Sequence, residues 1–254
     1  MRLLIANPNT SATVTDRLMA AAAAVKAPGT ELVPMTAPRG VPYIATRADA
    51  VVGAGVALDM LAEAHEGVDA AVIAAFGDPG LGGARELFDI PVVGMAEAAM
   101  LTACMLGRSF AIVTFSGGLV PWYHECLDWN GLRGRCAGIF ALQGAFTSLA
   151  DVQEEKEAAL VDLANRVVAE HEADVVILAG APLSGLAQTV RDRVPVPLVD
   201  GIQAAVKQAE ALAALKPAKA TTGTFRRPAA KTCTGISEPL RRRFEHRDRP
   251  DESR

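Results

Sequence analysis

The chain lacks most of the residue patterns that announce a metal centre, a disulfide scaffold or a nucleotide site. Its four cysteines, Cys104, Cys126, Cys136 and Cys233, form no CxxC pair and accompany no histidine cluster, so neither zinc nor a disulfide framework is indicated and reduced thiols are the default. GxGxxG with a following acidic ribose ligand is absent, which removes the dinucleotide fingerprint. No stretch approaches the ~18 uninterrupted apolar residues of a membrane span, and the opening MRLLIA is too short for a signal-peptide core; a cytoplasmic chain is expected. A net charge of −4 gives no global attraction to nucleic acid or anionic membrane, so the expected partner is a small molecule.

What is present is internal repetition. At 254 residues and 50% hydrophobic, the chain can bury one large core or two small ones. The stretch Asp69 to Ala99 returns as Asp174 to Ala205: Asp69 matches Asp174 at an offset of 105 residues, Gly80-Leu81 matches Gly185-Leu186, and after one inserted residue Pro91-Val92-Val93 matches Pro197-Leu198-Val199. Each copy reads as a buried strand, a Gly/Pro loop, a helix and a second short strand opened by proline.

In order, Arg2 to Ala6 is a strand, NPNTS a loop whose Asn, Ser and Thr can cap the helix from about Ser11 to Val25, and Glu31 to Met35 the next strand. The same loop could cradle an anion. The segment from Thr36 to about Ala50 reads as a solvated connection, although Arg39, Tyr43 and Arg47 are groups that would close a lid over a carboxylate. A helix from Arg47 to Ala64 follows. FGDPGLGG after the strand at Ala71 to Ala75 lets backbone approach a ligand, with the N–H groups of Phe76 and Gly77 available as an anion nest. The second half restarts with a strand at Phe110 to Thr114, the FSGG loop and a helix from Val120 to Trp129, where His124 reads as structural. Cys136 to Leu142 is the next strand, followed by an amphipathic helix and the second copy.

From Lys216 the apolar period disappears and eleven basic residues face five acidic ones, so residues 216–254 are expected to be a disordered basic tail. The body then carries a charge near −10, which again argues against nucleic acid. The alternation predicts two doubly wound parallel-sheet α/β domains related by a pseudo-twofold axis: residues 1–100 with about 205–215, and residues 101–204. Ligands bind outside the carboxyl ends of such strands, so the loops after Ala6, Ala75, Thr114 and Gly180 should meet at one cleft. Equivalent groups facing each other across it would suit racemisation.

Those loops, NPNTS, FGDPGL, the Thr114 loop and GAPLSGLA, resemble the Asp/Glu/hydantoin racemase superfamily, and most of all hydantoin racemases, over Met1 to about Leu215. The resemblance implies a cofactor-independent racemase or isomerase, frequently a homo-oligomer, acting on a small hydantoin or amino-acid-type carbonyl compound through two opposed cysteines. It places those thiols at Ala75 and Gly180, neither of which is cysteine here. Neither side chain exceeds a methyl group, so a void between them is expected. Asp78, Ser116, Ser184 and Asp200 are the non-thiol groups within reach, with Asp78 and Ser184 the catalytic candidates. Asn7, Thr10, Phe76, Gly77, Thr114, Ser116 and Ala181 are expected to bind substrate. Gly77 has an N–H where its repeat partner Pro182 has none, so the first half should take the more negative end of a ligand. Two alternatives stand beside the isomerase: a decarboxylase-like enzyme of the same superfamily, and a binding protein without chemistry.

Overall fold

A computed structural model describes residues 1–143, 148 and 151–248. The first half runs β1 (Arg2–Asn7), α1 (Ala12–Ala23), β2 (Glu31–Thr36), α2 (Arg47–Ala64), β3 (Ala70–Ile73), α3 (Leu81–Leu87), β4 (Val92–Gly94) and α4 (Met95–Leu106). The second repeats it as β5 (Phe110–Thr114), α5 (Val120–Trp129), β6 (Cys136–Ala141), α6 (Val152–His171), β7 (Val175–Ala179), α7 (Leu186–Val190), β8 (Leu198–Asp200) and α8 (Gly201–Leu215). All strand pairs are parallel, and the two four-stranded sheets have the same order, β2-β1-β3-β4 and β6-β5-β7-β8. This is the expected pair of doubly wound α/β halves.

The inner strands β3, β5 and β7, and β1 beyond Arg2, are buried because both sheet faces are covered there, whereas the edge strands β2 and β6 are only part-buried. Alternation along β1 sends Leu3 and Ile5 to a core shared by both halves, and Leu4 and Ala6 to a separate core under α2 and α3. Along β3, Ala70 and Val72 face the shared core while Ala71 and Ile73 face the other. The last helix of each half crosses over. Helix α4 leaves β4 and packs on β7 and β8, α8 leaves β8 and packs on β3 and β4, and the two helices pack on each other. Ala96, Ala98, Ala99 and Ala103 on α4, with Ala204, Ala205 and Ala209 on α8, allow this close approach in one shared core. Gln208 of α8 seals the joint by donating to Ala98 O at 2.9 Å and Thr102 Oγ1 at 3.0 Å.

The C-terminal segment departs from expectation: residues 216–248 are not an unstructured tail but lie along the first half, ending in α9 (Glu238–Phe244) against α2. Composition misled because the anchoring groups are few and are charged. Leu240 is buried beneath α2, Ser237 donates to Asp59 Oδ1 at 2.7 Å, and Arg243 lies over the Phe88 ring at 5.3 Å. Arg243 and Lys219 also donate to the terminal carbonyls of α3, at Leu87 for the first and at Arg85 and Phe88 for the second. Cations at a helix C-terminus satisfy carbonyls that have no partner within the helix and oppose its dipole. Residues 249–254 of the expected tail lie outside the described residues.

Candidate functional site

The topological switch point of the first sheet lies between β1 and β3, and that of the second between β5 and β7. The loops that follow these four strands converge between the halves. There Ala75, Phe76, Gly180 and Ala181 line one small pocket with Asn9, Tyr43, Ile44, Trp122 and Tyr123. Ala75 and Gly180 therefore share a pocket, each standing just beyond the end of a pseudo-equivalent strand.

The expected void between them is absent. The inner pocket has a volume of only ≈ 10 Å³, enough for about one water. Aromatic rings take the space. Phe115 lies so near Gly180 that a β-carbon added there would stand 2.8 Å from its Cε1, and Phe76 packs on Tyr123 with ring centroids 4.9 Å apart. Tyr43 meets Phe115 at 6.0 Å between centroids. Gly180 itself has φ 121°, a conformation that a side chain disfavours.

Polarity in this pocket comes from hydroxyls and an amide. Among the described residues the buried Tyr43 hydroxyl has no hydrogen-bond partner, and burial raises its pKa far above the ordinary phenol. The buried Tyr123 phenol is likewise raised, chiefly by desolvation, although its hydroxyl bonds to Thr114. Both phenols are thus proton donors at neutral pH. Asn9 lines the pocket and is held by its own loop: Asn7 Nδ2 donates to Asn9 Oδ1 at 3.1 Å, and Ser11 N donates to the same oxygen at 2.9 Å.

Several predicted binding residues serve the scaffold instead. Asn7 is fully buried, and its amide nitrogen also donates to Thr15 Oγ1 at 3.0 Å and Ser11 O at 3.2 Å, so the first loop presents Asn9 to the pocket. Thr10 is exposed and pins its backbone N–H to Val41 O at 3.0 Å. Thr114 is fully buried and donates to Ala179 O at 2.9 Å, tying β5 to β7 beneath the pocket. Ser116 precedes a single 3-10 turn, Gly117–Leu119, and is half-buried. Ser184 is buried, and its hydroxyl has no hydrogen-bond partner among the described residues.

Beyond Trp122 lies a second, larger cavity of ≈ 400 Å³, lined by Gly77, Asp78, the start of α3 from Gly80 to Gly83, and Trp122, Glu125, Cys126, Trp129 and Asn130 of α5. Trp122 is the one residue that lines both spaces. Its indole lies on Gly77, whose φ of 125° and missing side chain both matter, since a β-carbon there would fall inside the ring. Asp78 sits in left-handed backbone at φ 53° and accepts from Ala96 N at 2.7 Å and Glu97 N at 2.8 Å, at the start of α4. Desolvation pushes its pKa up to about 7, against the two N–H donors that favour the charge. Cys126 reaches this cavity from α5, donating to Gly77 O at 3.7 Å; burial pushes its thiol up to about 12, which keeps it protonated.

Asn9, Tyr43, Trp122, Tyr123 and Cys126 are thus site residues that were not singled out for the pocket. Tyr43 had a signal in the loop, where it was grouped with Arg39 and Arg47 as a lid. Those two instead pair with Asp59 and Glu125. Tyr43 and Ile44 of this segment line the site, while Pro38, Arg39, Gly40, Pro42, Thr46 and Arg47 are exposed as in a solvated connection. The α5 residues had none, because a helix rich in aromatics reads as core.

The Asp/Glu/Hydantoin racemase family profile matches residues 3–209. A hydantoin racemase of Paenarthrobacter aurescens is 33% identical over 91% of this chain and 99% of its own. Among solved structures, an allantoin racemase from Klebsiella pneumoniae superposes with a TM-score of 0.89 at 36% identity, covering 94% of this chain and 98% of that one. Allantoin racemase from Pseudomonas fluorescens gives 0.86 at 33%, covering 92% and 100%. The chain belongs to the Asp/Glu/hydantoin racemase family.

Proposed function

We propose that this protein binds a small hydantoin- or ureide-type ring at the inner pocket and promotes proton exchange at the carbon beside its carbonyl, without cofactor and without a thiol pair. The single observation that carries this reading is the placement of Ala75 and Gly180 on one interdomain pocket with a buried, unpartnered phenol. The first two are the positions that the family resemblance assigns to the thiols. The relatives named above are racemases of hydantoins and allantoin, which supports the substrate class.

In this reading Tyr43 is the acid. A phenol held protonated by burial donates to an oxyanion or to the carbon that is being reprotonated. Asp78, a carboxyl half ionised near pH 7, lines the cavity on the far side of Trp122 with its oxygens held by Ala96 N and Glu97 N, so it serves as the base only for a substrate that reaches past Trp122. The Ser184 hydroxyl makes no hydrogen bond to a base among the described residues and is set aside.

A second reading, binding without turnover, is favoured by the absence of an acid or base side chain at both Ala75 and Gly180. One experiment separates the two. Single enantiomers of allantoin and of 5-substituted hydantoins are incubated in deuterium oxide with the protein, and optical rotation, deuterium uptake and thermal stabilisation are followed. Exchange that survives thiol alkylation and falls about 10²-fold or more in Tyr43→Phe supports the isomerase. Stabilisation without exchange establishes the binding protein, and neither effect with any ring refutes both.

A further inference from the structure

We propose that Asp59 is a positioning residue that couples the docked C-terminal segment to the loop carrying Tyr43, so that the seating of α9 sets how firmly this wall of the inner pocket is held. The functional half of this inference rests on the reading above, in which Tyr43 is the acid. Asp59 divides its carboxylate between the two elements. Ser237, which caps α9 through its side chain, donates to Oδ1 at 2.7 Å, and Arg39, four residues ahead of Tyr43, donates to Oδ2.

Local geometry makes this carboxylate a junction. Val52, Val56 and Asp59 follow one another at i, i+4 and i+7 on α2 and share one face of the helix. The loop lies on that face at Gly40, where an added β-carbon would stand 3.7 Å from Val52 and 3.8 Å from Val56. Further along, Thr10 N donates to Val41 O at 3.0 Å, and the Asp49 carboxylate accepts from Ala45 N at 3.1 Å and Thr46 N at 2.9 Å. Arg39 ties down the near end. The Asp59 side chain is 20% exposed and that of Arg39 61%, so the anion is the fixed partner and the guanidinium the one that leaves. A carboxylate already held at one oxygen loses less rotamer freedom when the other takes its partner, so Ser237 on Oδ1 strengthens Arg39 on Oδ2. An inner pocket of ≈ 10 Å³ admits a ring only when a wall gives way. A tight loop keeps the acid in place, and a loose one eases entry.

The test is a mutant cycle on the full chain, read first by amide hydrogen exchange of residues 37–46, which needs no ligand. Arg39→Ala and Ser237→Ala are each expected to speed amide exchange there about 3-fold, the scale of a partly exposed ion pair, and to add nothing once Asp59→Ala is present. Ser237→Thr, which keeps the hydroxyl and the helix cap, should show the native rate. An unchanged loop in Ser237→Ala, or a Ser237→Ala effect that persists beside Asp59→Ala, overturns the coupling. With a hydantoin that is turned over, Arg39→Ala and Ser237→Ala should lower kcat and KM together by about 3-fold, whereas Tyr43→Phe lowers kcat alone. Unchanged kcat and KM in variants whose loop has loosened overturn the positioning role and leave the proposed function standing. If the native protein neither binds nor racemises any ring, the positioning role falls with the proposed function, while amide exchange still decides the coupling.

Discussion

Asp78 and Asp200 fasten pseudo-equivalent joints from opposite ends. In the first half the carboxylate stands in the loop and reaches the amides of Ala96 and Glu97, while the position before α4 is Gly94. In the second half the carboxylate is itself the residue before α8: Asp200 accepts from Ile202 N at 3.0 Å and Gln203 N at 3.2 Å, and reaches back to Gly185 N at 2.5 Å. Each arrangement excludes the other, since a side chain at Gly94 would collide with the carboxylate of Asp78. Asp200→Ala is expected to cost about 2 kcal/mol, from a lost helix cap and a stranded Gly185 amide, as read by urea denaturation.

The two carboxyls also set a pH dependence. Asp78 has its pKa raised from 3.8 to about 7 in the fold, so the native state holds this proton more tightly than the unfolded chain. That stabilisation is complete below about pH 4 and is lost as pH rises through 7. The melting temperature should therefore decline between pH 5 and pH 8, with a smaller decline in Asp78→Asn. Deprotonation supplies the candidate base, so exchange activity should rise over the same interval in which stability falls.

Gly180→Cys is expected not to install a working thiol. The residue would have to hold φ 121° and displace Phe115, costing about 1–3 kcal/mol in backbone strain alone. Ala75→Cys should fold with little loss. If the double variant nevertheless racemises a hydantoin at the rate of a two-thiol enzyme, the loop has relaxed and the pocket is more plastic than its packing indicates.

Native thiols should be dispensable for activity. Burial holds Cys126 up at about 12, so it should be the slowest of the four cysteines to react with iodoacetamide at pH 8. Peptide mapping checks the order. Loss of activity that tracks modification of Cys126 would identify it as a participant reached from α5.

Removing the C-terminal clamp should be costly. Arg243→Ala loses the carbonyl of Leu87, the Phe88 ring and the ion pair with Asp248, whose side chain is also buried. A loss of about 3 kcal/mol is expected, because among the described residues the carboxylate of Asp248 then keeps Arg227 alone as a buried partner. Limited proteolysis should then cut first between Lys216 and Ser237.

How much of this was legible in the sequence follows from what each signal depends on. The strand Phe110–Thr114 was visible as a short unbroken apolar run ahead of the FSGG turn, and the helix Arg47–Ala64 as a long alanine-rich run after a Pro/Gly-rich loop. The convergence of Ala75 and Gly180 was visible because repetition fixes symmetry. Side-chain filling leaves no such trace: Phe115 and Trp122 close the pocket from positions that read as ordinary core. Asn7 misled for a related reason, since two asparagines in one loop look interchangeable until the backbone decides which faces inward. The docked segment after Lys216 was missed because two cations on helix carbonyls and one buried leucine do not amount to an apolar period.

The exchange of α4 and α8 makes the molecule a swapped dimer written on one polypeptide. Two lobes joined by a hinge can part to admit a ligand, but each lobe here contains the other's final helix. Parting them would strip an alanine-lined interface from both sheets at once. Admission therefore falls to parts that move without disturbing the braces: the indole of Trp122, the loop that carries Tyr43, and the glycines ahead of α5. For the same reason neither half should fold when expressed alone, whereas the two halves co-expressed as separate chains should find each other.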